Sequence, residues 1–135
     1  NYRFILGTCY YFEKSPLTFN DAKPNCLDKF GSDTNGKLME PKTMERFQKI
    51  QELAKNIFEG GNVLTGFEKH DDAGTDVRHN SDGSRALIKP WPGTGGRITD
   101  SSQPHLNFYT QNNNWGDGEA NGRYVGYLFS ICEAH

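Results

Sequence analysis

Several features that would assign a chain to a class are scarce or missing in this sequence. Lysine and arginine number 15 against 17 acidic residues, for a net charge of −2, so the basic excess typical of nucleic-acid binding is absent. No apolar run approaches the roughly 18 residues of a membrane span, and none is predicted. The three cysteines include no CxxC pair, which removes the usual signal for a zinc ribbon.

The length of 135 residues suits one domain with a real core, and residues 1–135 are interpreted as a single domain. Glycine and aromatic residues are plentiful while aliphatic residues are few, which favours a loop-rich domain with a small aromatic core. The sequence opens at Asn1 with neither a starting methionine nor a signal peptide, so we interpret it as a mature or trimmed product.

The cysteines are Cys9, Cys26 and Cys132, an odd number. One disulfide plus one unpaired cysteine in an oxidising compartment is the favoured interpretation. Three buried free thiols would give the same count, so that alternative stays open.

The segment LTFNDAKPNCLDKF, residues 17–30, has the apolar spacing of an amphipathic helix that turns Cys26 inward. Pro24 lies beyond the first turn if Thr18 is the N-cap. A proline in that position removes a hydrogen bond, so the helix is expected either to start near Asp21 or to be kinked.

The segment PKTMERFQKIQELAKNIF, residues 41–58, gives the strongest helical pattern in the chain. Pro41 suits the first turn, and Gly60-Gly61 ends the helix. The predicted apolar stripe comprises Met44, Phe47, Ile50, Ala54 and Ile57.

Short apolar runs predict strands near both ends of the chain. Residues 4–6 and 9–12 form a hairpin or one bent strand, residues 63–67 form a short strand, and residues 129–133 form the last one. Between residues 68 and 121, Gly, Asp, Asn, Ser and Pro dominate, and ordered stretches of this kind are usually functional. Two helices and terminal strands predict an α+β fold with a loop-built binding face.

The stretch QNNNWGDGEANG, residues 111–122, places one tryptophan among amides, carboxylates and glycines, without helical or strand periodicity. One interpretation is a polar surface loop pinned to the core by Trp115. The other is a ligand-binding loop, because amide and carboxylate oxygens suit Ca²⁺ or sugar hydroxyls. We expect Trp115 to be buried against Tyr109 or Tyr127, with residues 112–113 exposed.

Seven fragments of the sequence, taken in order, form an informative set: CYYF, FNDAKPNC, KLMEPKTMERFQKI, LTGF, Asp82-Gly83-Ser84 with Trp91, Trp115-Gly116-Asp117, and FSICE. In this order they resemble the C-type lectin-like domain family, and the match covers essentially the whole chain. The fifth and sixth fragments are similar to the family's DGS…W spacing and WND box. The resemblance implies a C-type lectin-like fold with two helices, small antiparallel sheets and a long loop-rich binding region.

The resemblance also implies a disulfide between Cys26 and Cys132, because the helix and final strand that carry them adjoin in that fold. The family's second disulfide is not expected, since Leu106 and Ala120 stand nearest its two positions. Cys9 matches a cysteine whose partner lies upstream in longer members. It is expected to be a free buried thiol or, alternatively, to form an intermolecular disulfide.

The calcium and sugar site departs most from the family pattern. Sugar-binding members carry a Glu-Pro-Asn or Gln-Pro-Asp triplet after the tryptophan, where this chain has residues 95–97, GGR. Residues 103–105, QPH, imitate the triplet but lie directly against the next strand. Gly116 replaces the asparagine of the WND box and leaves Asp117 as the surviving metal ligand. Because Ca²⁺ takes six to eight oxygen ligands, we expect weak calcium binding or none, and predict no cofactor.

Two other polar clusters could bind a metal, but metal binding is not favoured for either. A solvated hairpin is favoured over an auxiliary calcium site for an acidic group that consists of Glu68, Asp71, Asp72 and Asp76. Zinc binding would require separate loops to bring together three histidines, and it is not favoured for His70, His79 and His105.

The resemblance implies a secreted, non-catalytic recognition domain that binds an extracellular glycan, glycoprotein or other surface through its long-loop face. The favoured hypothesis is a degenerate calcium and sugar site with a ligand such as protein or mineral. The alternative is a carbohydrate-binding lectin with a rearranged, Ca²⁺-dependent site around Asp117. An enzyme ranks behind both, because the sequence has no nucleophile elbow and no convincing Ser/His/Asp arrangement. The candidate ligand-binding residues are Asp100, Gln103, Asn114, Asp117 and Glu119.

Overall fold

The computed structural model describes residues 1–31, 34–70, 76–91, 105–112, 114–118 and 128–134. This part of the chain contains two helices and eight strands: β1 (Tyr2–Ile5), β2 (Thr8–Leu17), α1 (Phe19–Phe30), β3 (Lys37–Leu38), α2 (Met44–Phe58), β4 (Asn62–Lys69), β5 (Val77–His79), β6 (His105–Tyr109), β7 (Trp115–Gly118) and β8 (Leu128–Ala134). The predicted α+β fold is confirmed.

All of these strands join one sheet, in the order β1-β2-β8-β4-β6-β7, with β3 on β8 and β5 on β4. The sheet is mixed, because β4 and β8 run parallel while the other pairs run antiparallel. The sequence suggested small antiparallel sheets. The parallel β4–β8 contact is what merges them into one.

The first two strands form the predicted hairpin. Its turn consists of Leu6 and Gly7, both with positive φ (48° and 84°), which is the backbone of a tight two-residue hairpin loop. Arg46 of α2 donates hydrogen bonds to the carbonyls of Ile5 (3.0 Å) and Leu6 (2.9 Å). The hairpin is therefore tied to α2.

The first helix begins at Phe19 and keeps Pro24 in its interior. A start near Asp21 is therefore wrong. The Thr18 side chain caps the helix by accepting a hydrogen bond from the Asp21 N–H (3.3 Å). Pro24 is exposed, so water can reach that face of the helix, where the missing N–H costs one hydrogen bond.

The second helix begins at Met44, after an N-cap formed by Thr43, so Pro41 lies outside it and not in its first turn. The Thr43 hydroxyl accepts from the Arg46 N–H (3.2 Å). Met44 is 39% exposed, and the buried stripe is Phe47, Ile50, Ala54 and Phe58. Among the described residues no helix has the length and hydropathy of a membrane span.

The sheet separates two apolar clusters, because neighbouring residues of a strand point to opposite faces. Val63 and Ile131 belong to the larger cluster, which α2 covers, while Leu64 and Cys132 belong to the smaller one, which α1 covers. The helices therefore lie on opposite faces of the sheet.

The disulfide between Cys26 and Cys132 is present, with a Cα–Cα distance of 5.3 Å. It joins α1 to β8 and confirms the implied pairing. Cys9 is a free, half-buried thiol on β2. The chain thus holds one intramolecular disulfide, and an intermolecular one through Cys9 has no support in the structure.

Candidate functional site

Trp115 lies at the centre of the aromatic core. It is 3% exposed, and its ring lies 5.6 Å from Trp91 and 5.6 Å from Phe47 between centroids. The predicted burial is thus confirmed, but the neighbours differ from the predicted Tyr109 and Tyr127. Tyr109 follows Phe108 and therefore lies on the opposite face of β6, and Tyr127 lies outside the described residues. The indole N–H has no hydrogen-bond partner in the described part of the chain. The ring therefore anchors β7 by packing.

The β6–β7 hairpin fixes where the candidate binding loops begin. Its register pairs Leu106 with Asp117 and His105 with Gly118. Residues 92–104 and 119–127 lie outside the described residues, and they join the hairpin at His105 and Gly118. Two of the segments that the resemblance assigns to the binding face therefore meet at one end of β6 and β7.

The glycine of the WND position faces a buried amide. Gly116 pairs with Asn107 across the hairpin, and a Cβ built on Gly116 would lie 3.3 Å from the Asn107 Oδ1. Asn107 is 3% exposed, and its Nδ2 has no hydrogen-bond partner in the described ranges. A side chain at residue 116 would require this carboxamide to shift by a few tenths of an ångström. The position where the family has an asparagine ligand thus has no side chain and lies in close contact with Asn107, which the sequence did not single out.

The five candidate ligand-binding residues fall in different places. Asn114 is exposed at the turn end of the hairpin, where its N–H donates to the Asn112 Oδ1 (2.9 Å). It is three residues from Asp117, or about 10 Å along a strand. The structure describes the backbone of Asp117, opposite Leu106. Asp100, Gln103 and Glu119 lie outside the described residues, so the binding roles of all five stay predictions.

The turn end of the hairpin contributes to a polar groove that the sequence did not predict. The groove has a volume of about 250 Å³ and lies between α2 and the β6–β7 turn; it is lined by Gln48, Gln51, Glu52, Lys55, Thr110, Gln111 and Asn112. The helical residues recur at i, i+3, i+4 and i+7, which places them on one face of α2. The sequence predicts that these four residues share one face of a helix, but it does not predict that the β6–β7 turn lies beside that face.

Backbone hydrogen bonds join the turn to the segment that follows α2. The Thr110 N–H donates to the Gly61 carbonyl (3.0 Å), and the Tyr109 N–H donates to the Asn114 carbonyl (2.9 Å). The amides of Gln48, Gln51 and Gln111 make no hydrogen bond within the described ranges, so their donors and acceptors are available to a ligand.

The histidines that sequence reasoning weighed for zinc lie apart in packed or exposed positions. Burial lowers the pKa of His79, whose ring packs on Phe67 at 5.4 Å between centroids. Burial, and then the charge of Lys23, lower the pKa of His105 to about 4, and its ring stacks on Phe19. His70 is exposed. No group of three His, Cys, Asp or Glu in the described part of the chain is placed to hold a metal.

Buried carboxylates hold the framework together. Glu40 is 1% exposed and accepts hydrogen bonds from the Ser81 N–H (2.8 Å) and hydroxyl (2.7 Å). Its carboxylate also pairs with the Lys37 ammonium at 3.1 Å. The Glu133 carboxylate accepts from the backbone N–H of Glu40. These contacts join residues far apart in the chain and give both carboxylates a structural role.

Two further acids, Asp82 and Asp76, are also engaged locally. The Asp82 Oδ1 accepts from the N–H (2.8 Å) and hydroxyl (2.7 Å) of Ser84, and these bonds lower the Asp82 pKa. The DGS fragment is therefore a turn that the aspartate closes on itself. Asp76 forms ion pairs with Arg78 (3.2 Å) and Arg85 (3.4 Å). Asp71 and Asp72, the other aspartates of the acidic group, lie outside the described residues.

Solved structures with the same architecture cover nearly the whole chain. The C-type lectin CEL-I from Cucumaria echinata matches with a TM-score of 0.78 and 17% identity, over 99% of this chain and 94% of that one. A calcium-independent type II antifreeze protein matches with a TM-score of 0.72 and 21% identity, over 99% and 92%. Human lithostathine matches with a TM-score of 0.72 and 19% identity, over 98% and 95%. No family model matches the chain, and a search of curated proteins finds no match.

These likenesses confirm the resemblance and show that the chain has the C-type lectin-like fold. At these identities they show the fold and not a shared ligand. The fold hosts a lectin and a calcium-independent antifreeze protein alike. The ligand must therefore be argued from the side chains of this chain.

Proposed function

We propose that this chain is a secreted, non-catalytic recognition domain. Its ligand is an extracellular protein, mineral or similar surface, bound by the face where residues 92–104 and 119–127 join the β6–β7 hairpin. The fold supports this proposal, because the similar structures include a lectin and an antifreeze protein. The Cys26–Cys132 disulfide supports an oxidising extracellular compartment.

The packing of Asn107 over Gly116 carries the proposal that this face works without tightly bound calcium. Gly116 supplies no side-chain oxygen, and a side chain there would start in close contact with the Asn107 carboxamide. Asp117 alone cannot satisfy an ion that takes six to eight oxygens. The calcium-independent antifreeze protein gives a precedent for the same fold in a protein without this requirement.

Five titratable groups of the described residues are engaged within the framework, which supports a non-catalytic role. Glu40, Glu133, Asp76 and Asp82 all accept hydrogen bonds or form ion pairs within the framework. His105 is stacked and neutral at pH 7. A general acid or base needs a reachable substrate proton, and these groups are committed elsewhere.

Binding to a panel of immobilised extracellular matrix proteins, EDTA-insoluble minerals such as silica, and glycans tests the proposal. We expect binding to a protein or mineral surface that persists in EDTA and is lost when residues 92–104 are replaced by a Gly/Ser linker of equal length. The Cys26–Cys132 frame lies outside the replaced segment, so a melting curve checks that the variant folds. Binding only to glycans, or binding abolished by EDTA, would contradict the proposal.

A carbohydrate-binding lectin is the second candidate, and the amide-rich groove between α2 and the β6–β7 turn favours it. Amides both donate and accept hydrogen bonds, as sugar hydroxyls do, and three amides in the groove have no hydrogen-bond partner among the described residues. This groove lies at the opposite end of β7 from Asp117. A glycan array would then show binding that Gln51→Ala and Gln111→Ala both weaken, while Asn56→Ala, on an exposed part of α2 outside the groove, leaves it unchanged.

A further inference from the structure

A second groove lies on the α1 side of the sheet, between α1 and the segment that leads into β3. It has a volume of about 500 Å³, which is within the range of ordinary ligand pockets. Lys23 and Leu27 line it from α1, where they lie one helical turn apart on the same side of the helix. Asn35 and Lys37 line it from the opposite segment. We call this feature the α1–β3 groove.

The walls of the α1–β3 groove are fixed to each other. Gly36 lies against α1 so closely that a Cβ on this residue would clash with the Cys26 carbonyl oxygen. The disulfide joins Cys26 of α1 to Cys132 of β8, and Cys132 in turn pairs with Leu38 of β3. Both walls are therefore tied to one point of β8. A preformed groove of this kind binds a ligand with a smaller entropic cost.

The charges that line the groove are positive in the part of the chain that the structure describes. Lys23 is exposed and forms no ion pair with a described residue. The Lys37 ammonium pairs with the Glu40 carboxylate at 3.1 Å and donates to the Ser81 hydroxyl (3.2 Å), which leaves one of its three N–H donors. None of the described lining residues is an aspartate or a glutamate. The groove thus offers donors and positive charge to an anion.

The groove also offers an apolar contact and an amide. Leu27 is 45% exposed beside Lys23, so a ligand with an aliphatic group would cover it. The exposed carboxamide of Asn35 has no hydrogen-bond partner among the described residues and can both donate and accept. A ligand that satisfies all three features carries an anion, an aliphatic group and a peptide-like polar group.

We propose that the α1–β3 groove binds a short stretch of a protein partner in which an acidic residue stands beside an aliphatic one. The carboxylate binds the ammonium groups of Lys23 and Lys37, the aliphatic side chain packs on Leu27, and the backbone bonds to the Asn35 amide. A carboxylate has two oxygens and needs fewer donors than a phosphate or sulfate, and the described lining has no arginine for such groups. This surface is additional to the loop face, since its described residues lie in α1, before β3 and after β5.

Nuclear magnetic resonance of the ¹⁵N-labelled 135-residue chain, titrated with the peptide acetyl-LEEL-amide, tests the proposal. We expect saturable shifts of the backbone amides of Leu27, Asn35 and Gly36. Lys23→Gln and Leu27→Gln should each raise the dissociation constant about three-fold or more, because one removes a charge and the other an apolar contact. Lys49→Gln is the matched control, since Lys49 is an exposed lysine on α2, across the sheet, and should leave the dissociation constant unchanged.

Two further ligands separate charge from other chemistry. The neutral peptide acetyl-LQQL-amide should bind more weakly than acetyl-LEEL-amide, and a heparin fragment should not shift the groove amides. The inference is overturned if acetyl-LEEL-amide causes no saturable shift, if the neutral peptide binds equally well, or if Lys23→Gln and Lys49→Gln weaken binding alike. Groove shifts with heparin and none with the peptide would assign the groove to a sulfated glycan and equally overturn it. Both groove substitutions replace exposed side chains, and an unchanged amide spectrum away from the groove verifies that the variants fold.

Discussion

Replacing Trp115 by alanine tests the claim that this ring is a structural anchor and not a ligand platform. The ring is 3% exposed and lies 5.5 to 5.6 Å from the rings of Phe47, Trp91 and Phe108. Removing a buried aromatic ring of this size leaves a cavity and costs about 3–5 kcal/mol in unfolding free energy. For a chain of this length that loss lowers the melting temperature by roughly 10–20 °C.

Thermal unfolding followed by circular dichroism measures the effect. Gln111→Ala is the matched control, because Gln111 is exposed near the same hairpin turn and should change the unfolding free energy by less than about 0.5 kcal/mol. A melting temperature of Trp115→Ala within a few degrees of the original would refute the reasoning and show the ring to be free for a ligand.

Two further predictions concern pH and covalent structure. Burial lowers the pKa of His105 to about 4 in the folded chain, so the unfolded chain binds more protons below pH ~6.5 and stability falls as the pH drops from there toward 4. The resulting loss of unfolding free energy is about 3 kcal/mol at most. Urea unfolding at pH 7 and pH 4.5 should show a smaller decrease in unfolding free energy for His105→Gln than for the original chain. An equal decrease in both would contradict the assignment. Replacing both Cys26 and Cys132 by alanine should cost about 4–5 kcal/mol, because the bridge closes a loop with a sequence separation of 106 residues. Unaltered urea unfolding of that double variant would show that the chain-entropy argument fails here.

Much of the fold was predictable because local patterns and packing agree. The apolar spacing over α2 and the apolar runs of β2, β4 and β8 each predict an element that the structure contains. The start of α1 was not predictable from Pro24, since the Thr18 cap and the burial of Cys26 outweigh one lost hydrogen bond. Local sequence rules predict the free-energy cost of a proline inside a helix, but they do not predict the stabilisation that comes from packing the helix on the sheet.

The candidate site was less predictable, because its contacts join distant parts of the chain. Asn107 and Gly116 become neighbours only through the register of β6 with β7. Gln51 and Gln111 share a groove only because the Thr110 N–H fastens the turn to Gly61 beside the end of α2. Nothing in either segment alone indicates its partner, so sequence reasoning placed Asn114 with Asp117 and overlooked the helical amides.

Calorimetric titration of the chain with Ca²⁺ tests the central claim most directly. Gly116 provides no side-chain oxygen where the family has a ligand, and Asp117 alone falls short of six to eight oxygens, so the claim predicts no saturable binding in the micromolar range. Asp117→Asn is the matched variant and should give the same flat titration. A dissociation constant in the low micromolar range for the original chain, lost in Asp117→Asn, would contradict the account and make the calcium-dependent lectin the favoured function.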